Sequence, residues 1–468
     1  MSLRTVTVLR QKSIQDLTKS DPSENGMEPM SELKCNRLFA GFRAPREIIF
    51  GTGQRHSLPK ILNTLGTRVF FCVDPSMVTH PEVSTLMNNV ADSGIEVEVF
   101  SDVSPELPIE DIAAAVSAAK RHSTDAVVAI GGGSSIDLAK LVSCLLAHPG
   151  DVKQYFGEFA VPGPILPIVA IPTTAGTGSE VTPVAVLTDT EQGVKAGVSS
   201  PYLIPTVALC DPELTLTCPP SVTAASGADA LTHCIESYTA VRRDSHPDLL
   251  ASRVAIGQSK LTNSLALEGI QSISDGLLGA YREPDSLHAR TQVMYGALLG
   301  GLAFGTAGNA AAHALQYPVG AATRTPHGVG TGLLMPYVME FNCQARIPEY
   351  AEIARIIGRS VIADDILSAS VSQADHALIL AASNGTSAGG NQEEQLAAAA
   401  PRLVQLYLSG IEIPSALSQI GFDPATIGSA AEKGVASKRL CDNNPILLDT
   451  SGAESILQAA MIGRLSLG

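Results

Sequence analysis

The sequence predicts an α/β half built on a parallel sheet, followed by an all-helical half. Three observations carry this prediction. Apolar, β-rich runs alternate with helix-periodic stretches through the first part of the chain. Strand signals almost cease after Pro219 and Pro220, and an Ala- and Leu-rich, helix-periodic sequence follows. Gly is abundant at 41 residues, aromatics make up only 4% and Trp is absent, which suits tightly packed helices.

Residues 1 to 36 are polar and without period, and are expected to form a flexible arm. Its start, MSLRTVTVLRQKS, is basic and has no acid before Asp16, a faint transit-peptide pattern; a mobile polar extension is the other reading. In the α/β domain expected over 37–219, RVFFCVD (68 to 74) is the first strand and IEDIAAAVSAAKRH (109 to 122) a helix. DAVVAI, ending at Ile130, PIVAIP (167 to 172), TPVAVLT (182 to 188) and TVALCD (206 to 211) supply further strands. Residues 220–468 form the expected helical domain, with NGTSAGGNQ (384 to 392) as a polar loop.

Forty-six acidic against 31 basic residues give a net charge of -15, so the surface field repels nucleic acid and anionic lipid. No run of 18 apolar residues is present, which argues against a membrane span. The eight cysteines are scattered without a CxxC pair, as in a reducing compartment. The cytoplasm is therefore expected, or the mitochondrial matrix if the arm is a targeting segment.

Two loops follow strands. Gly131-Gly132-Gly133-Ser134-Ser135-Ile136-Asp137 opens a helical stretch, offering backbone N–H groups to a phosphate with no Cβ in the way; a simple tight turn is the alternative. This is not the GxGxxG pattern. The second loop, Pro172 to Glu180 (PTTAGTGSE), would converge with the first at the carboxyl edge of the sheet, and the pair favours a dinucleotide. Asp74, ending the first strand, can accept from an adenosine ribose and would repel a 2′-phosphate, which favours NAD over NADP; a helix cap is its alternative role.

In the helical half, Asp229 and His233 stand four residues apart, on one helix face. Alone, such a pair is more often a hydrogen-bonded contact than a metal site. His313 and His327 change the odds, because both lie in segments poor in other polar groups, and Pro318 and Pro326 are expected to break the interval between them. One carboxylate and three imidazoles form a divalent-metal set with room for a substrate oxygen.

The ordered motifs GGGSSID, IPTTAGTGSEVT, GADALTHCIESY, AAAHALQYP and TPHGVGTGLLMP resemble the iron-containing (group III) alcohol dehydrogenases over roughly residues 40 to 465. The resemblance implies a nucleotide-binding α/β domain and a helical metal-binding domain, the dehydroquinate synthase-like fold. It implies metal ligation by Asp229, His233, His313 and His327, with Fe²⁺ first and Zn²⁺ as the alternative. Dinucleotide contacts are implied at Gly132, Gly133, Ser134, Asp137, Thr173, Thr174, Asp74 and Lys195, and a substrate-lining role at Phe304.

Many members carry a histidine four residues after the third ligand, where this chain has Tyr317, as the hydroxyacid-oxoacid transhydrogenases do. A phenol is a poor base near neutral pH, so Tyr317 is expected to orient substrate or water, or to be a core aromatic beside Pro318. The expected activity is hydride transfer between a small alcohol and NAD. A transhydrogenase acting on a hydroxyacid with bound nucleotide is the alternative, and a non-catalytic nucleotide- or metal-binding protein the third reading. A homo-oligomer is expected by resemblance.

Overall fold

The computed structural model describes residues 39–191, 194–383 and 390–465, so the arm and its targeting pattern lie outside the described residues, as does most of the loop 384 to 392. Residues from Ala40 onward form one compact unit. Its strands are β1 (Glu47–Phe50), β2 (Arg68–Val73), β3 (Glu96–Phe100), β4 (Ala126–Gly131), β5 (Gly157–Glu158), β6 (Ile168–Pro172), β7 (Val184–Asp189), β8 (Val194–Ser199) and β9 (Val207–Cys210). Between them run α1 (Leu58–Leu62), α2 (Pro81–Asp92), α3 (Ile109–His122) and α4 (Gly133–Ala147).

Six strands pair in the order β1-β9-β6-β4-β2-β3, every pairing parallel. Side chains alternate across the sheet and build two cores. Phe70, Cys72, Val127 and Ala129 pack under α3 and α4. Val69, Phe71, Val128 and Ile130 pack under α1 and α2 on the opposite face. From β2 the chain moves to β3 on one side and then to β4 on the other. That reversal opens a crevice at the carboxyl ends of β2 and β4, where ligands settle in open α/β sheets.

TPVAVLT does not join the parallel sheet. β7 pairs antiparallel with β8, and β5 completes a separate three-stranded sheet. The connection between β7 and β8 is too short for a parallel crossover. β1, β3, β5 and β8 are additions to the strands expected from sequence; β3 lies at an edge with two glutamates exposed, so it lacks a continuous apolar run.

Helices fill the rest: α5 (Pro220–Thr239), α6 (Leu249–Ser252), α7 (Lys260–Arg282), α8 (Leu287–Ala307), α9 (Ala311–Thr323) and α10 (His327–Asn342). They are followed by α11 (Ile347–Ala363), α12 (Asp365–Ser368), α13 (Gln373–Ser383), α14 (Gly390–Ser409), α15 (Ile427–Val435), α16 (Lys438–Cys441) and α17 (Thr450–Ile462). Pro220 takes the first position of α5, where its missing N–H is harmless. Small residues let these helices approach closely: a Cβ on Gly269 would stand 3.2 Å from the Gly296 carbonyl oxygen. Pro318 does not break the chain as the sequence suggests; it lies inside α9, whose packing on α10 and α15 holds the helix through one lost backbone bond. The turn between His313 and His327 is made instead at Arg324, in the left-handed conformation with φ 58°, just before Pro326.

Candidate active site

Helix α5 carries the nucleus of the site. Asp229, His233 and Glu236 are spaced so that successive turns point the same way, and all three are buried. His313 enters from the first turn of α9 and His327 from the first residue of α10.

The three imidazoles present Nε2 to the Asp229 carboxylate, His233 at 3.3 Å and His313 and His327 each at 3.6 Å. Each Nδ1 faces an acceptor on its other side. His313 Nδ1–H donates to Glu236 at 2.7 Å, His327 to the Gln316 amide oxygen at 2.7 Å, and His233 to the Asn309 amide oxygen at 3.0 Å. These partners set the tautomer and leave the Nε2 lone pairs directed at Asp229.

With the imidazoles neutral, three Nε2 lone pairs and a carboxylate converge and repel one another, and a cation that displaces the protons resolves the arrangement. Ligand atoms of Asp229, His313 and His327 all lie within 4.8 Å of one another. His233 falls outside that tightest set, stacked on His313 with ring centroids 4.6 Å apart. Buried His313 Nε2 has no hydrogen-bond partner among the described residues. The donor set thus fits a divalent ion.

The electrostatics agree. Burial alone would push the Asp229 carboxyl up, yet the facing imidazoles hold it well below the usual carboxylate range. At His313 burial is likewise outweighed, here by Glu236 and Asp229, which raise it to about 9. Two buried carboxylates therefore draw positive charge to this point. His327 is lowered to about 4, chiefly by desolvation. Glu236→Gln keeps the shape but removes the charge behind His313; a 10–100-fold loss of metal affinity is expected, read by competition with a chelator.

A cleft joins this cluster to the strand half, reaching Gly133, Ser134, Asp137 and Lys195 on one side and Phe304 and Tyr317 on the other. Gly133 opens α4, so its N–H points into the cleft end where an anion is favoured. Phe304 stacks on His233 at 4.0 Å between ring centroids, and Tyr317 stacks on His327 at 6.1 Å. Lys195 stands 3.5 Å from Glu106.

Other residues singled out from sequence lie behind the lining. Thr173 N–H donates to the Gly131 carbonyl at 3.0 Å, and Thr174 sits against Gly132. Asp74 accepts from the N–H and hydroxyl of Ser76 at 2.9 and 2.6 Å, a cap-like role, and borders Gly131. Asp137 reaches the cleft with both oxygens engaged, Oδ1 by the Ser179 hydroxyl at 2.5 Å and Oδ2 by Val186 N–H at 2.9 Å.

Sequence reading missed Glu236, Asn309 and Gln316, which orient the imidazoles. An acid three residues beyond His233, inside an apolar helix, was the available signal. It also missed Lys140, buried under the second loop, where it donates to the Ser179 hydroxyl at 2.8 Å and the Val184 carbonyl at 2.7 Å. Desolvation lowers this amine to about 8. It ties the helix behind the first Gly-rich loop to the second loop.

Known proteins give the same picture. A sequence model of the iron-containing alcohol dehydrogenases matches residues 45–212, and that of the family's C-terminal region matches residues 223–461. Long-chain-alcohol dehydrogenase 1 of Geobacillus thermodenitrificans is 32% identical over 419 residues, 89% of this chain and 95% of its own. The NAD-dependent methanol dehydrogenase of Bacillus methanolicus is 32% identical over 68% of this chain and 80% of its own. The crystal structure of a 1,3-propanediol oxidoreductase superposes with a TM-score of 0.78 at 28% identity, covering 90% of this chain and all of the other. With both halves matched and a third of positions shared with a nearly full-length relative, the chain belongs to the iron-containing alcohol dehydrogenase family and is an oxidoreductase of that kind.

Proposed function

We propose that this chain moves hydride between a small alcohol and NAD, with Asp229, His233, His313 and His327 as ligands of a divalent ion, Fe²⁺ in keeping with the family's description. The observation that supports this most directly is the convergence of three Nε2 atoms on one buried carboxylate at the edge of a cleft that runs to the Gly-rich helix start. The strand half, 37–219, is the nucleotide domain in this reading, and 220–468 the metal domain. Gly132, Gly133, Ser134, Thr173 and Thr174 build the loops that receive the dinucleotide, Asp137 holds those loops together, and Asp74 and Lys195 are its more distant contacts.

A divalent ion in this donor set supplies Lewis-acid polarisation of the substrate oxygen. The chain does the rest. The three second-nitrogen acceptors fix the imidazole planes, and the Phe304 ring presses on His233 so that the ligand face stays rigid. Tyr317, raised above the ordinary phenol range by burial, remains protonated at neutral pH and is suited to donate a hydrogen bond that orients the substrate, not to accept a proton. In the forward direction the carbinol carbon gives hydride to NAD, and the hydroxyl proton leaves to solvent. The buried free thiols fit a reducing compartment such as the cytoplasm.

The test supplies alcohol and free NAD to the iron-loaded protein and follows NADH absorbance. Continuous NADH release is expected. Turnover that requires an added oxoacid would instead make the chain a transhydrogenase, and no turnover with either, despite metal and NAD binding, would leave a binding protein.

A further inference from the structure

We infer that the alcohol this chain acts on carries a carboxylate, and that the Arg439 guanidinium receives it. The inference rests on the hydride-transfer reading above and names the substrate class of the same cleft.

Arg439 lies on the short helix α16 and lines the cleft together with Tyr317 and His327. It is half-buried, and its guanidinium makes no hydrogen bond or ion pair among the described residues. Several other partly or fully buried arginines here are engaged. Arg55 meets Asp211 at 2.8 Å and Glu82 at 2.7 Å, Arg290 donates to the Thr223 hydroxyl at 2.6 Å, and Arg346 donates to the Thr239 carbonyl at 3.0 Å. A guanidinium drawn partly out of water with nothing to bind is unfavourable, and its forked donors match a carboxylate.

Its surroundings add to the case. A second cavity continues past Tyr317, sharing Lys195 and Arg439 with the first and adding Lys438. Of the acids nearby, Glu106 faces Lys195 at 3.5 Å, and Glu158 accepts from Val254 N–H at 3.4 Å through Oε2 while its Oε1 has no partner among the described residues. The second cavity's lining carries Lys195, Lys438 and Arg439 against Glu158, an excess of positive charge on a chain of net charge -15. Arg439 and Tyr317 line both cavities together. Tyr317 in turn stacks on His327. A hydroxy acid with its carboxylate on Arg439 would pass Tyr317 and direct its carbinol end at the imidazole cluster. The dinucleotide pyrophosphate is the other anion available, but the helix start at Gly133 and Ser134 serves it elsewhere in the cleft.

The experiment compares Arg439→Gln and Arg439→Lys with the parent chain, using unbranched ω-hydroxy acids and neutral primary alcohols of matching length. In the parent chain the hydroxy acids are expected to be the better substrates. In R439Q, kcat/KM for them should fall about 100-fold, with the neutral alcohols and the KM for NAD unchanged and partial recovery in R439K. Calorimetric binding of an unreactive carboxylate lacking the hydroxyl should weaken at least about tenfold in R439Q. The inference is overturned if neutral alcohols match the hydroxy acids in the parent chain, if R439Q lowers both classes equally, or if its effect falls on the KM for NAD. Should no alcohol be oxidised while Arg439 still governs carboxylate binding, the hydride-transfer reading fails and the anion site stands.

Discussion

His313→Ala is expected to leave a protein that folds and binds NAD but retains almost no metal and oxidises alcohol at least about a thousandfold more slowly. The magnitude follows from removing Lewis-acid stabilisation worth several kcal/mol, at 1.36 kcal/mol per factor of ten. His313 is the right probe because it stands at the middle of the cluster, stacked on His233 and facing both Asp229 and Glu236. Its removal also strands Glu236 as a buried carboxylate that keeps only its two backbone donors, the N–H groups of Ala310 and Ala312. Elemental analysis of the purified variant, NAD titration and the alcohol assay read the three consequences separately. A variant that kept both iron and rate would refute the ligand assignment.

Gly328→Ala should act through packing. Gly328 follows His327 in the first turn of α10, and a Cβ there would run into the Ala225 carbonyl on α5 while approaching the Asp229 Cβ to 3.0 Å. Backbone cannot yield as a flexible side chain does, so α10 must move away from α5. Overpacking of this kind costs about 1–3 kcal/mol. The displacement also draws His327 away from Asp229. A lower melting temperature together with lower metal content is therefore expected, measured by thermal unfolding and elemental analysis. An unchanged melting temperature would show that the two helices are not in the contact described.

Local sequence carried much of this structure. The helix 109–122 has its apolar positions on one stripe and acids in its first turn, and its bounds match the expectation. The buried strands of the parallel sheet were legible because each is an unbroken apolar run. β7 has the same composition as those strands, so nothing local distinguishes a hairpin partner from a sheet member. Pro318 misled for a related reason: its propensity to end a helix is local, whereas the packing that carries α9 past it is not.

The cluster itself was legible because Asp229, His233, His313 and His327 are unusual among their neighbours. The acceptors behind them were not. Asn309 and Gln316 are ordinary polar residues until the fold sets them against an imidazole nitrogen. Lys140 resembles any solvated helix lysine in sequence, and only the fold shows it without solvent exposure. Arg439 is legible only as an absence of partners, which no linear pattern reveals.

Asp229, His233 and Glu236 all ride on α5, so two donors and the anchor of a third keep a fixed phase about one axis. Inserting a single residue between them would rotate whatever follows by roughly 100°, because a turn takes 3.6 residues. The neighbouring loops can lengthen without touching that phase. Divergence in this chain should accordingly accumulate as altered loop lengths, with α5 held to its exact spacing.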